Sequence, residues 1–350
     1  MSFTANRIVL ASRPRGAPTA ANFRFEQFSL PEARSGEVVL QVLYLSLDPY
    51  MRGRMDEGPS YAAAVGVGDP MPGQTVARVI RSQDTRFAPG DFVAAMTGWV
   101  SHAVVRGETL RKLDPARAPL TSALGVLGMP GLTAYVGLHD IGQPRAGETL
   151  VVSAATGAVG SVVTQLGKRS GLHVVGIAGG PEKCRHATEV LGADACIDHR
   201  GPHLRERLAE ACPRGIDIYF ENVGGAALRA VLPLMNQNGR IAVCGLIAWY
   251  DLGKLGAGTA DGPDHLPAAW RHILVKRLTV RGFIVSDHFD RFPTFLKEVA
   301  PLVRDGQIRY RETIAEGLER APDAFLAMLK GGNLGKQLVR LTADPIPGAD

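Results

Sequence analysis

The chain has 350 residues, 45% of them hydrophobic and 21% charged, which supports a large buried core and about two domains. Its net charge of +5 is dispersed, without the like-charge blocks or basic patch of a nucleic-acid binder. No apolar run approaches the ~20 residues that cross a bilayer, and the opening run Ile8–Leu10 is too short for a signal-peptide core, so the expectation is a cytoplasmic protein with no membrane partner.

The first stretch reads as short strands: Arg7–Leu10, Phe23–Ser29, Glu37–Ser46, Val76–Arg81 and Asp91–Met96. Turn residues such as Pro31, Gly36, Pro72, Gly73, Pro89 and Gly90 separate them. Helical periodicity is scarce before about residue 120, so a barrel-like β domain is expected there. After Pro119 the texture alternates: strand Thr149–Ser153, helix Val159–Ser170, strand His173–Ala178, helix Glu182–Leu191, strand Asp217–Glu221, helix Ala226–Leu234, strand Arg240–Cys244. Strands alternating with helices predict a doubly wound parallel sheet. Leu252–Pro267, rich in glycine and proline, reads as a loop and candidate lid. Leu278–Ile284 reads as a strand, Arg291–Arg304 as a helix, and Arg311–Leu341 as strand, helix, strand.

The run Ala155-x-Gly157-Ala158-Val159-Gly160 lies where a strand passes into a helix. Gly157 would admit a pyrophosphate close to the backbone, and Gly160 would let the helix pack on the strand. The N–H groups and dipole of the helix start would receive the anion. NAD sites carry an acid at the end of the next strand, but here His173–Ala178 ends in Gly179-Gly180, followed by Lys183. A missing acid beside a cation favours the 2′-phosphate of NADP, with Arg185 and His199 as further candidates for that pocket. The cysteines, Cys184, Cys196, Cys212 and Cys244, form no C-x-x-C pair and match no zinc spacing, so they read as reduced thiols and no metal site is expected.

These residues, with Leu47-Asp48-Pro49-Tyr50-Met51-Arg52, Gly128-Met129-Pro130-Gly131-Leu132-Thr133-Ala134-Tyr135, Asn222-Val223-Gly224-Gly225, Val243-Cys244-Gly245 and Asn333-Leu334-Gly335-Lys336, occur in an order that resembles one branch of the medium-chain dehydrogenase/reductase superfamily. That branch holds the prostaglandin, curcumin and plant alkenal double-bond reductases. The likeness runs from about Glu37 to Leu341. It implies a Rossmann doubly wound parallel sheet, residues 123–309, plus a GroES-like β-barrel domain, residues 1–122, completed by the tail 310–350. It implies NADP(H) held by Gly157, Ala158, Val159, Gly160, Gly180, Lys183, His199, Asn222, Cys244, Gly245, Tyr250, Phe283, Ile284, Val285 and Asn333. It also implies a homodimer joined through the edge of the Rossmann sheet.

The expected chemistry is zinc-independent reduction of a carbon–carbon double bond conjugated to a carbonyl. Charge builds on the carbonyl oxygen, so the site must donate a hydrogen bond there and a proton to the α-carbon. Tyr250, just past a Rossmann strand, is the first candidate, and Tyr50 the second, on the substrate side. Arg52 stands as a substrate-side ion-pair candidate, and Met129 and Trp249 as apolar walls around the enone or enal substrate. A quinone oxidoreductase and a non-catalytic NADPH-binding redox sensor are the alternatives.

Overall fold

Glu37–Ser46 is rich in valine, leucine and tyrosine, side chains that suit a pleated, half-buried surface, and it forms the central strand of the first of two units. The computed structural model describes residues 3–58, 60–253 and 264–343. The first unit joins Met1–Gly128 to Glu312–Asp350, and the second is Met129–Arg311.

The first unit opens with β1 (Phe3–Leu10), β2 (Phe23–Leu30), β3 (Glu37–Ser46), α1 (Tyr50–Arg54), β4 (Thr75–Ser82), β5 (Phe92–Ala95), β6 (His102–Arg106) and β7 (Arg111–Leu113). β1 and β2 form an antiparallel pair, and β3 lies between β4 and β6. Trp99 stacks on Phe23 with ring centroids 5.6 Å apart, in a core that also holds Ile8, Leu10, Leu45 and Met51. β6 and β7 leave little trace in the sequence: the first is half-exposed up to its exposed last residue Arg106 and the second only three residues long, so neither alternates clearly.

The second unit begins with α2 (Met129–Val136), which widens into a π-helical turn at Gly137–Gly142. There follow β8 (Thr149–Ser153), α3 (Gly160–Arg169), β9 (His173–Ala178), α4 (Pro181–Arg185), β10 (Ala195–Asp198), α5 (Leu204–Ala211), β11 (Ile216–Glu221), α6 (Gly225–Val231), β12 (Met235–Val243), α7 (Leu266–Lys276), β13 (Thr279–Gly282) and α8 (Phe292–Arg304). The sheet is parallel with order β10-β9-β8-β11-β12-β13. Successive connections run outward from β8 on one side and β11 on the other, so the order reverses there. Ligands of such sheets bind at the carboxyl ends of the strands flanking that reversal. β8 is buried along its whole length; each such aliphatic side chain contributes about 1.5–3 kcal/mol relative to exposure.

The tail returns to the first unit as β14 (Glu312–Glu316), α9 (Ala321–Leu329) and β15 (Lys336–Arg340). β15 runs antiparallel to β3 and parallel to β14. Lys336 Nζ donates to Asp48 Oδ1 at 2.8 Å and to the Leu47 carbonyl at 2.6 Å, which fastens the tail to the end of β3. Of the expected loop Leu252–Pro267, residues 254–263 lie outside the described residues, and its last part is already helical because α7 begins at Leu266. Among the described residues no helix is long and apolar enough to cross a membrane.

Candidate functional site

β8 ends at Ser153, and the chain turns through Ala154 at a left-handed φ of 50° before α3 starts at Gly160. The Gly157 N–H donates to the Ala154 carbonyl at 2.9 Å. A Cβ on Gly160 would stand 2.2 Å from that same carbonyl oxygen, so only glycine lets the turn close. Gly157, Ala158 and Val159 stay half-exposed in front of the helix, whose first N–H groups have no partner within it.

One strand over, β9 runs into Gly179-Gly180. Gly180 takes φ 99°, a region costly for other residues. Its N–H donates to Asp198 Oδ1 at 2.9 Å, and the Arg200 N–H donates to the same oxygen at 3.0 Å. Those two backbone bonds, Arg200's first, hold the Asp198 carboxyl below its ordinary range. A Cβ on Gly179 would lie 3.0 Å from His199 Nε2 and 3.2 Å from Arg200 Nε, and one on Gly180 would lie 3.5 Å from an Arg200 terminal nitrogen. Lys183 is half-buried in the first turn of α4, and its pKa is lowered by burial and then by the charge of Arg200. His199 and Arg200, both solvent-exposed, thus border the glycine pair, and Lys183 lies close enough to Arg200 to feel its charge; Arg185 is solvent-exposed.

Arg200 and Asp198 escaped the sequence reading because β10 itself did. Ala195–Asp198 is four residues long, mostly half-exposed and at the sheet edge, so its pattern is weak. An NAD-type acid would stand at the end of β9. The acid present stands at the end of β10, and backbone N–H groups occupy one of its oxygens.

At the carboxyl ends of β8 and β11, Asn222 donates from its backbone to Ser153 Oγ at 2.8 Å and from Nδ2 to the Ser153 carbonyl at 2.7 Å. Beneath them lies Glu221, 1% exposed. Its Oε1 accepts from Ser153 Oγ, Tyr219 Oη and the backbone N–H groups of Val223 and Gly224. Burial outweighs these donors and raises the carboxyl pKa. The Cys244 and Gly245 N–H groups both donate to the Glu221 carbonyl, and burial pushes the Cys244 thiol up to about 12.

Tyr250 sits in a short 3-10 helix, Ile247–Leu252, that folds back over this corner. A Cβ on Gly245 would lie 3.3 Å from the Asn222 carbonyl and 3.5 Å from the Tyr250 hydroxyl, which places the phenol over the ends of β11 and β12. Trp249 lies against Gly224, where a Cβ would meet its ring at 2.9 Å. Phe283 is buried just past β13 and meets Phe220 edge-on at 6.4 Å, with Ile284 and Val285 half-exposed beside it. Met129 opens α2 and is half-buried.

Comparison with known proteins decides what this arrangement belongs to. Residues 6–113 match the N-terminal domain of oxidoreductases and residues 158–301 match the zinc-binding dehydrogenases. The chain is 50% identical over 339 residues to the NADPH-dependent curcumin reductase of Escherichia coli (strain K12), covering 97% of each. It is 40% identical to the NADP(+)-dependent 2-alkenal reductase of Nicotiana tabacum, over 97% of this chain and 98% of that one. It superposes with a TM-score of 0.92 on the crystal structure of CurA in complex with NADPH from Vibrio vulnificus, at 48% identity and over 97% and 100% of the two chains. The chain belongs to the medium-chain dehydrogenase/reductase family, in the branch of the curcumin and alkenal reductases.

The second matched description carries zinc in its name, but among the described residues no three His, Cys, Asp or Glu side chains converge as a metal site would require. In the first unit of this reductase fold, Tyr50 opens α1 and packs against the core around Trp99; its hydroxyl is buried and has no partner among the described residues. Burial and the Asp48 carboxylate push its pKa well above the ordinary phenol value. Arg52 is 0% exposed and is engaged with Asp56 at 2.8 Å and the Gly16 carbonyl at 2.8 Å. Asn333 donates from Nδ2 to the Gly335 carbonyl at 2.7 Å.

Proposed function

We propose that the protein reduces the carbon–carbon double bond of α,β-unsaturated ketones and aldehydes with NADPH, without a metal. The carrying observation is that His199 and Arg200 lie against Gly179-Gly180 with Lys183 close to Arg200, one strand from a turn that only glycine can close, in a chain half identical to an NADPH-dependent curcumin reductase.

These features fit the cofactor. Gly157, Ala158, Val159 and Gly160 at the start of α3 suit a pyrophosphate. Gly180, Lys183, His199 and Arg200 suit the 2′-phosphate, for which charge-assisted hydrogen bonds are strong. Asn222, Cys244, Gly245, Tyr250, Phe283, Ile284 and Val285 would border the nicotinamide half. When bound, the cofactor supplies a hydride for the carbon β to the carbonyl. Tyr250 then donates a hydrogen bond to the carbonyl oxygen as charge gathers there and assists protonation at the α-carbon. Tyr50, buried and raised in pKa, stays a neutral donor on the substrate side. Arg52 acts by holding α1, and Met129 and Trp249 furnish apolar surface.

In this reading the barrel-like domain, 1–122 with 310–350, serves substrate and the Rossmann domain, 123–309, carries NADP. The enzyme works in the cytoplasm as a homodimer. β13 supports the dimer: among the described residues it pairs only with β12, it is exposed along its length, and Trp270 and Leu274 of α7 are 61% and 77% exposed. Unpaired edges and apolar patches of this kind are covered in stable proteins.

The test is NADPH oxidation against a panel of enones, enals and quinones. Turnover of enones and enals is expected and should survive a metal chelator. Turnover confined to quinones would mark a quinone oxidoreductase, and tight NADPH binding without turnover a redox sensor; either overturns the proposal.

A further inference from the structure

Cys196 lies on β10 opposite Gly176 of β9, and a Cβ on Gly176 would meet the Cys196 sulfur at 3.1 Å and the Ala155 Cβ at 2.9 Å. The glycine leaves a gap that Cys196 fills from one side and the dinucleotide turn from the other. Cys184 comes from α4, one residue after Lys183, and the Cys184 and Cys196 thiols hydrogen-bond to each other. Both residues are half-buried, neither closed from solvent nor freely exposed. The helix that carries Lys183 and the strand that leads to Asp198, His199 and Arg200 are therefore linked by two thiols in hydrogen-bond contact.

We infer that Cys184 and Cys196 form a reversible disulfide, and that closing it weakens NADPH by shifting Lys183 from its place at the 2′-phosphate. This rests on the reading of the glycine pair and its cations as the 2′-phosphate pocket. The oxidant is a low-molecular-weight disulfide. The Cys184 thiolate attacks one of its sulfurs, forming a mixed disulfide and releasing one small thiol. The Cys196 thiolate then attacks the Cys184 sulfur and releases the second thiol. Each protein thiol gives up its proton, the protein pair loses two electrons, and the small disulfide gains them. A disulfide holds its sulfurs at about 2.05 Å, well inside the separation of hydrogen-bonded thiols, so closure must pull the first turn of α4 toward β10. Burial raises the pKa of both thiols, which makes attack slow near neutrality; the bridge answers a sustained shift of thiol balance rather than a brief pulse.

The test treats the intact protein with oxidised glutathione, maps its peptides by mass spectrometry, and titrates NADPH and NADH before and after. A peptide pair joined through Cys184 and Cys196, lighter by two hydrogens and restored by dithiothreitol, is expected. The NADPH dissociation constant should rise about three- to tenfold, with NADH unchanged. Cys184→Ser and Cys196→Ser should each keep basal turnover and lose the response. Absence of that joined pair, or a joined pair with unchanged NADPH affinity in a protein where Lys183→Ala does weaken NADPH, overturns the inference and leaves the pocket standing. If Lys183→Ala leaves NADPH untouched, the pocket reading fails and the coupling falls with it.

Discussion

Asn222 is fastened to Ser153 at two points, backbone N–H to Oγ at 2.8 Å and Nδ2 to the main-chain carbonyl at 2.7 Å. The second bond fixes which side-chain atom faces Ser153, because a carbonyl can only accept. The pair holds the ends of β8 and β11 together where the order of the sheet reverses.

Asn222→Asp sets a carboxylate oxygen against that carbonyl. Loss of one such partly buried bond costs about 1–3 kcal/mol. Thermal unfolding should begin several degrees lower, and the dissociation constants of NADPH and NADH should rise together. A variant as stable as the parent, with unchanged cofactor binding, would show that the double link positions nothing.

Lys183→Ala and Arg200→Ala should behave differently. Each removes one contact to a phosphate that NADH lacks, so each should weaken NADPH about tenfold or more and leave NADH nearly unchanged. Isothermal titration with both cofactors checks this. Equal effects on the two would remove these residues from the 2′-phosphate pocket.

Tyr250→Phe removes only a hydroxyl from the corner above Gly245. NADPH binding should change little, while single-turnover rates fall, since the lost interaction matters chiefly in the transition state. A proton donor is worth about 100- to 10,000-fold, and a loss at the lower end is expected because water can substitute. Unchanged turnover would return Tyr250 to packing and move the role to Tyr50.

Glu148 accepts from Arg240 through both oxygens, at 2.9 and 2.5 Å. Burial pushes its pKa up, but the Arg240 hydrogen bonds and the Arg145 backbone bond prevail and lower it. A carboxyl with a lowered folded pKa contributes stability above its unfolded value, near pH 4.3, and loses it as pH falls through the folded value. Glu148→Gln should therefore cost about 1–3 kcal/mol at pH 7, and its unfolding curve should approach the parent's below about pH 4. A gap that persists at low pH would assign the loss to packing.

The features legible in the sequence share a cause. Ala154 to Gly160 is a local turn whose geometry only small residues satisfy, and Glu37–Ser46 is long and strongly apolar, so its bounds coincide with those of β3. What escaped depends on sheet order. Arg200 reaches Gly179 only because β10 pairs with β9, and Glu221 becomes a buried acceptor only because Ser153 of β8 lies beside it. Neither neighbour is near in sequence, and a four-residue edge strand gives little periodicity to betray itself.

Isotope placement distinguishes hydride delivery to the carbon–carbon double bond from delivery to the carbonyl. The protein is given NADPH deuterated at the transferable C4 position with a simple enone, and the product is examined by NMR. A saturated ketone bearing deuterium on the carbon β to the carbonyl is expected. Deuterium on the carbinol carbon of an allylic alcohol would contradict it.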